Sequence, residues 1–496
     1  IHIFNILKMI SQINFRNYKL FKKKQILEIK PLTILIGKNN TGKSAILKLP
    51  TLLEGSLSGR FSQPFELINN DVKIANEYKD IVYGRNNREV EFEILQKKHI
   101  SDIEFDNLRV EIFIDENKPI IENWNCNNIF DLTKLDENNY QNKKINKVQE
   151  TFFEGINLKS IEFVDDLLPK EDFFPLPNFV LNTDFIGAIR QEALKHYEYS
   201  SNISEKSGID GSKLYDFLID DYMSTDKKYF SQISNFIKNK FEGWELSIEV
   251  DGGRKDKPAI IYLENKNLKI NVSQVGMGIS QVLPLIIRAY KPCDAETLII
   301  VEEPESHLHP FAHAQIAQLF FDSLLIDKNK KYLIETHSQN FVLRLRRLIA
   351  EGKLVPDDLA LYYVDFNEEN NEEAGEHFTP REVIELMTHF VFDPIQEKLP
   401  LTITVYDPAC GSGGMLTEAQ NFIEERYSIE DSNRDVILYG KEINDETYAI
   451  CKSDMMIKGN NPENIRVGST LTTDEFVGTK FDFMLSNPPY GKSWAS

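Results

Sequence analysis

The chain has 496 residues, of which 41% are hydrophobic and 27% charged, and no apolar run approaches the roughly 18 residues that a membrane span needs. A disordered or membrane-embedded protein is therefore excluded, and the length points to two domains rather than one hydrophobic core. Net charge is −20, with 57 Lys and Arg against 77 Asp and Glu, so nucleic acid can be met only through local basic patches.

Cys126, Cys293, Cys410 and Cys451 are far apart and form no Cys-x-x-Cys pair, which indicates neither a zinc ribbon nor a disulfide framework and fits a reducing cytoplasm. Nothing at the N-terminus reads as a signal peptide, and Met9, directly before an opening strand from Ile10 to Asn17, is the expected biological start. Lys22, Lys23 and Lys24 read as a solvated loop between two strands. Leu32 to Ile36 follows as a buried strand bounded by Pro31 and Gly37.

Gly37-Lys38-Asn39-Asn40-Thr41-Gly42-Lys43-Ser44 has the Walker A spacing, placed between that strand and a helix beginning near Lys43. In such a loop Gly37, Asn40 and Gly42 let backbone N–H groups and the helix N-terminus surround the phosphates of ATP. Lys43 would neutralise the outer phosphates and the Ser44 hydroxyl would coordinate Mg2+. Pro50 is expected to end or kink the helix early.

Between residues 55 and 270, alternating stretches such as Glu89 to Ile94 and Arg109 to Ile114 suit half-buried strands of a β-rich lobe. A helical section is expected from Tyr215 to Phe241, and Asp251-Gly252-Gly253 marks a turn between two strands. No heptad pattern is sustained, which excludes a long coiled-coil arm. Leu298 to Val301 is a buried strand ending in Glu302-Glu303-Pro304. Adjacent carboxylates repel unless a cation is present, so Glu302 is assigned to Mg2+ and Glu303 to activating water. Tyr332-Leu333-Ile334 is the next strand, leading into Glu335-Thr336-His337-Ser338, where His337 can reach a γ-phosphate.

By these residues the chain from 9 to 366 resembles the ABC/SMC-like ATPases of the overcoming-lysogeny and related bacterial defence families. Glu302-Glu303-Pro304-Glu305-Ser306-His307-Leu308-His309-Pro310 carries the likeness, as does Ser273 to Gln281 in place of the transporter signature. Ile186-Gly187-Ala188-Ile189-Arg190 also looks like a block of these families, with no physical role legible in the sequence. The resemblance implies a head homodimer with ATP sandwiched between subunits, Gly278 and Ser280 touching the nucleotide held by the opposite one. A Q-loop glutamine is not assigned. No acidic metal cluster of a Toprim nuclease follows, so any cleavage would belong to a partner.

Residues 367–374 read as an acidic linker, and from Asn371 onward 10 Lys and Arg face 22 Asp and Glu. Thr402 to Tyr406 is then a strand running into Asp407-Pro408-Ala409-Cys410-Gly411-Ser412-Gly413-Gly414, a Gly-rich turn that opens a helix and admits a nucleotide-like ligand. Such a turn alone fits a dinucleotide as well. Asp407 at the strand end, with Glu442 placed to hold ribose hydroxyls at the end of the next strand, speaks for S-adenosyl-L-methionine, with Ala409, Gly411 and Gly413 lining the turn. Asn487-Pro488-Pro489-Tyr490 suits an exocyclic amine: Asn487 and the Pro488 carbonyl accept its two hydrogens, while Tyr490 stacks on an extruded base. Methylation of protein glutamine or ribosomal RNA is the rival use of this tetrapeptide.

Gly375 to Val383, which includes Thr379 and Pro380, resembles the block ahead of the cofactor site in modification subunits of type I restriction systems, as do Gly440 to Asn444 and Asn487 to Tyr490. The likeness spans residues 375–496 and implies adenine-N6 methylation of DNA. Ser469 stands where that family often has Asp or Asn. The family's helical N-terminal domain is absent, and the chain ends at Ser496, so an incomplete domain is expected that by itself binds S-adenosylmethionine poorly and does not methylate adenine.

The expected fold class is thus α/β: a P-loop ABC-type ATPase head with a β-rich lobe, then a truncated Rossmann-like S-adenosylmethionine methyltransferase domain. The expected function is that of a DNA restriction or anti-phage defence ATPase carrying a methyltransferase module, with restriction or specificity subunits as partners and no membrane. The alternative is an ATP-gated regulatory head controlling a separate effector nuclease, its methyltransferase segment a remnant or chimeric artefact.

Overall fold

The computed structural model divides into two compact units, Ile1–Phe366 and Asn367–Ser496. It describes residues 10–487, apart from 39, 86–88, 97–106, 116–117, 128, 164–178, 199–202, 242, 251–256, 366–380, 394–399, 401, 428–434 and 471. Met9, the turn at 251–253, the linker at 367–374, Thr379, Pro380, and Pro488 to Tyr490 therefore lie outside the described residues.

The first unit opens with β1 (Ile10–Arg16), β2 (Gln25–Glu28), β3 (Leu32–Ile36) and α1 (Lys43–Leu57), then the small hairpin of β4 (Ile68–Asn69) and β5 (Val72–Lys73). β6 (Glu89–Gln96), β7 (Asn107–Asp115), β8 (Lys118–Cys126), β9 (Phe130–Lys134), β10 (Asn139–Asn142), β11 (Lys147–Glu154) and β12 (Asn157–Phe163) follow. With β1 and β2 they form one antiparallel sheet in the order β12-β11-β10-β9-β8-β7-β6-β1-β2. The expected alternation holds in β7, where Leu108, Val110, Ile112 and Ile114 are buried while Arg109 and Asp115 are exposed. Lys22, Lys23 and Lys24 are exposed between β1 and β2, and Lys24 is paired with Glu93 at 2.6 Å.

Next come β13 (Thr183–Ile186), α2 (Leu214–Met223), α3 (Lys228–Lys240), the meander β14 (Glu245–Val250), β15 (Ala259–Asn265) and β16 (Leu268–Asn271), and α4 (Met277–Tyr290). β17 (Thr297–Glu302), α5 (Pro310–Ile326), β18 (Lys330–Glu335), α6 (Gln339–Ala350) and β19 (Leu359–Tyr363) complete the unit. β13-β17-β18-β3-β19 is an all-parallel sheet. The middles of its central strands, Leu298 to Val301 and Tyr332 to Ile334, are continuous apolar runs because both faces are covered. Leu298, Ile300 and Leu333 pack towards α1 and the antiparallel sheet, while Ile299, Val301 and Ile334 pack towards α4, α5 and α6.

One local expectation is corrected and another refined. Pro50 does not end α1, which continues to Leu57; Leu47, Leu49, Leu52 and Leu53 are buried on both sides of it, and that burial outweighs one missing N–H bond. The expected helical section from Tyr215 to Phe241 is present as two helices, divided where the Ser224 hydroxyl donates to the Asp221 carbonyl and the Asp221 carboxylate accepts from the Phe230 N–H of α3.

The second unit contains α7 (Arg381–Phe392), β20 (Thr402–Asp407), α8 (Gly414–Tyr427), β21 (Asp435–Glu442), α9 (Asp445–Ile457), β22 (Ile465–Val467) and β23 (Phe483–Met484). Its parallel sheet has the order β22-β21-β20-β23 over a core that includes Ile403, Val405, Leu416, Leu438 and Leu485. Among the described residues no helix is long and apolar enough to cross a membrane.

One buried ion pair braces the first unit. Arg288 of α4 donates to Asp184 of β13, and Asp184 also accepts from the Ser207 N–H and hydroxyl, both at 2.7 Å. The two side chains are 3% and 2% exposed. Removing one partner strands the other as an uncompensated charge, so Asp184→Ala should lower unfolding stability by about 3–5 kcal/mol in chemical denaturation.

Candidate functional site

Parallel α/β sheets bind ligands beyond the carboxyl ends of their strands, and in the first unit that edge gathers residues from three elements. Between β3 and α1 the chain must turn tightly. Gly37 has φ 148°, and a Cβ there would stand 2.1 Å from the Val364 carbonyl oxygen, so only glycine fits. Asn40 at φ 65° and Gly42 at φ 101° also lie in the left-handed region, and Gly42 caps α1. Lys43 follows, its ammonium held by the carbonyls of Gly37, at 3.0 Å, and Lys38.

β17 and β18 are in register, Glu302 opposite Glu335. The pleat sends both side chains towards α1, with Ile300 and Leu333. Ser44 donates to the Glu335 carboxylate at 3.0 Å, and Lys43 lies 3.9 Å from its other oxygen. Burial pushes Glu335 up to about 7; the Ser44 and Lys43 contacts oppose that, while Glu302 and Glu303 add to it. Lys43 is lowered by its own burial, against the pull of Glu335 and Glu303.

Glu303 stands just past β17 at φ 41°, its N–H bonded to the Glu335 carbonyl at 2.9 Å and its carboxylate accepting from the Ser306 hydroxyl at 2.8 Å. Its other carboxylate oxygen is 3.7 Å from His337 Nε2. The His337 N–H is in turn fixed by the buried Glu305 carboxylate at 2.6 Å. Donor atoms of Glu303, Glu335 and His337 lie within 4.8 Å of one another. Of the groups gathered here, the Ser44 hydroxyl and the Glu335 carboxylate are hard-oxygen donors that fit Mg2+, whose charge would offset carboxylates that Lys43 alone does not balance.

The structure thus brings together Lys43, Ser44, Glu302, Glu303 and His337 as the sequence suggested, and adds Glu335, Glu305, Ser306 and Arg190. The signal for Glu335 was present in the sequence: a carboxylate closing the apolar run Tyr332-Leu333-Ile334. The signature segment is placed apart from this cluster, at the start of α4. Gly278 packs there with 3.3 Å between its ideal Cβ position and the His307 carbonyl oxygen. Ser280 is only 5% exposed and turns its hydroxyl back to the Met277 carbonyl at 2.8 Å, so the exposed residues at this helix start are Ser273, Gln274, Gly276 and Met277.

In the second unit β20 ends at Asp407, whose carboxylate accepts from the Ala409 N–H at 3.0 Å. Gly411, at φ 54°, donates its N–H to Glu442 at 2.9 Å, and Glu442 also accepts from the Asn444 N–H at 2.9 Å. A Cβ on Gly413 would meet the Cys451 sulfur at 2.8 Å, which keeps this turn against α9. Asp407 and Glu442 therefore face the Gly-rich turn from adjacent strands, as expected for a ribose-bearing ligand. Parallel pairing of β23 with β20 delivers half-buried Asn487 to the same edge, with Leu485 N–H on the Tyr406 carbonyl at 3.0 Å.

These two sites define the class of protein: a P-loop ATPase unit followed by a Rossmann-like methyltransferase unit. The family model described as "AAA domain, putative AbiEii toxin, Type IV TA system" matches residues 32–344, and that for "N-6 DNA Methylase" matches residues 361–496. The chain belongs to the first of these families, which spans more than half of it, and carries an N-6 DNA methylase domain behind it. It is 34% identical over 133 residues to the type I restriction enzyme MpnII methylase subunit of Mycoplasma pneumoniae, covering 25% of this chain and 23% of that one. The chain spans about a quarter of the length of that methylase subunit. An ATP/GTP phosphatase of Helicobacter pylori is 23% identical over 359 residues, covering 69% of this chain and 89% of its own. Among solved structures, a type I restriction-modification methyltransferase subunit from Streptococcus thermophilus is 34% identical over 25% of each chain, with a TM-score of 0.21. An SMC head bound to the C-winged helix domain of ScpA is 12% identical, covers 68% of this chain and 92% of its own, and has a TM-score of 0.38.

Burial raises Asp407 to about 7, the Ala409 N–H opposing and Glu442 reinforcing the shift. The folded state thus holds this proton more tightly than the unfolded chain. Its stabilising effect is complete below the ordinary carboxylate range and is lost as pH rises from about 4 to about 7. The melting temperature of the C-terminal unit should fall across that window, and Asp407→Asn should flatten the fall.

Proposed function

We propose that residues 9–366 hydrolyse ATP as a head pair, and that residues 375–496 bind S-adenosyl-L-methionine for methyl transfer to N6 of adenine in DNA. The observation that carries the first part is the convergence of Lys43 and Ser44, from one strand-to-helix turn, with Glu303, Glu335 and His337 from the two adjoining strand ends. Lys43 has a fixed place against the outer phosphates, and Glu303 is held by Ser306 so that it can take a proton from water. His337, fixed through Glu305, faces the Glu303 carboxylate from the γ-phosphate side. Mg2+, held by Ser44 with Glu335 and Glu302 nearby, would neutralise phosphate charge. Gly278, at the start of α4, is assigned to the nucleotide of a second copy, with Ser280 supporting that turn from within.

In the second unit Glu442 would take the ribose hydroxyls, and Gly411, Gly413 and Ala409 the close approach of the ligand. Asp407 supports the turn, and Asn487 would hold the exocyclic amine together with Pro488, Pro489 and Tyr490. Thr379 and Pro380 belong to the block that precedes the cofactor in type I modification subunits. This pairing suits a cytoplasmic restriction or anti-phage system that works with DNA and with specificity or nuclease subunits.

Glu303→Gln should keep ATP, accumulate as a dimer in light scattering and lose turnover by about 10²–10⁴-fold, while Lys43→Ala should lose nucleotide binding. Wild-type turnover in Glu303→Gln would remove it as the base. For the second unit, calorimetric titration of S-adenosylmethionine into the chain should show binding that Glu442→Ala abolishes. Whatever labelled-methyl transfer to DNA adenine is found should be lost in Asn487→Ala, whereas transfer to glutamine peptides in preference to DNA would overturn the substrate assignment.

A further inference from the structure

Arg190 takes no part in the hydrolysis just described, although it lies at the centre of the site's support. It follows β13, is 2% exposed, and its Nη2 donates to two successive carbonyls, Glu302 at 2.8 Å and Glu303 at 2.9 Å. Its own backbone is gripped by one side chain of α4: Gln281 accepts from the Arg190 N–H at 3.2 Å and donates to the Arg190 carbonyl at 3.1 Å. Gln281 is itself 3% exposed and sits one turn behind the exposed Gly276 and Met277. A continuous set of hydrogen bonds therefore runs from the start of α4 to the turn that carries Glu303.

That turn needs holding. Glu303 at φ 41° occupies a region that non-glycine residues keep only when their surroundings impose it. Arg190 remains a cation despite burial, lowered only to about 10, so its bonds to the two carbonyls are charge-assisted. Its Nε and Nη1 have no partner among the described residues, nor does the second oxygen of Glu305, the carboxylate that fixes His337 and acts most strongly on Arg190. Buried donors and a buried acceptor without partners are costly, so this part of the site is held by Arg190 without being fully satisfied.

We infer that Arg190 is a positioning residue that couples the start of α4 to Glu303, so that nucleotide on the opposite head sets the Glu303 carboxylate of this one. This rests on the two-head reading above. Engagement of Gly276 to Gly278 would shift α4, Gln281 would carry the shift to the Arg190 backbone, and its guanidinium would reset the carbonyls of Glu302 and Glu303. Hydrolysis at one site then depends on occupancy of the other, which is a coupling between sites.

The test uses the full chain with Arg190→Met, Arg190→Lys, Gln281→Leu and the Met/Leu double variant. ATP affinity, melting temperature, and turnover against ATP and protein concentration are measured for each. Expected are near wild-type ATP affinity, kcat lower by roughly ten- to a hundredfold, and loss of the sigmoidal dependence on ATP. Arg190→Lys, which keeps the charge, should recover part of kcat, and the double variant should be no worse than the weaker single one. Should Arg190→Met not fold, Arg190→Lys and Gln281→Leu give the same readout. Cooperative wild-type turnover in folded Arg190 or Gln281 variants, or an effect confined to melting temperature, would overturn the coupling while leaving the ATPase reading intact. An active Lys43→Ala, or a Glu303→Gln that never dimerises, would remove the two-head reading and the coupling with it.

Discussion

Glu302, Glu303 and Glu335 crowd the carboxyl ends of two adjacent parallel strands, facing the buried ammonium of Lys43. Much of the first unit serves to make that crowding tolerable. The sheet is covered on both faces, so the strand ends are desolvated, and burial is the largest influence on both Glu335 and Lys43. Charges placed so need fixed partners, because their separation in a medium of low polarity is costly. The partners are supplied from different parts of the chain: Ser44 on Glu335, Ser306 on Glu303, and Arg190 on the carbonyls beneath both Glu302 and Glu303.

The second unit solves a similar problem with backbone rather than side-chain cations. Asp407 and Glu442 end neighbouring strands and are met by N–H groups of Ala409, Gly411 and Asn444. The turn can offer those groups because Gly411 and Gly413 take left-handed angles and Gly413 has no room for a side chain beside Cys451. A binding edge suited to hydroxyls results, in contrast to the lysine and hydroxyl of the first unit, which suit phosphate and its cation. Each unit thereby uses the same part of a parallel sheet for different ligand chemistry.

An acidic chain of net charge −20 offers little general attraction for DNA. Lys24, in the most basic run near the N-terminus, is already paired with Glu93. Binding to DNA would thus depend on surfaces that assembly creates, and would weaken steeply with salt.

The sequence by itself determined several of the apolar strands, the glycine turns and the carboxylates that stand at the strand tips. Those features are local: an apolar run of strand length, a Gly at a turn that no other residue can make, and carboxylates at a strand tip each state their physics within a few residues. It also located Ile186 to Arg190, without its role. What only tertiary structure decided are contacts between strands and helices distant in sequence. Glu335 meets Ser44 because β3 and β18 are neighbours in the sheet, and Arg190 reaches Glu302 and Glu303 because β13 and β17 are. Pro50 could continue α1 only because a core was present on both sides to hold it, and Ser280 turned inward because the first turn of α4 left its hydroxyl nearest the Met277 carbonyl. Register, burial and the pairing of remote charges depend on which elements become neighbours, and no window along the chain contains that information.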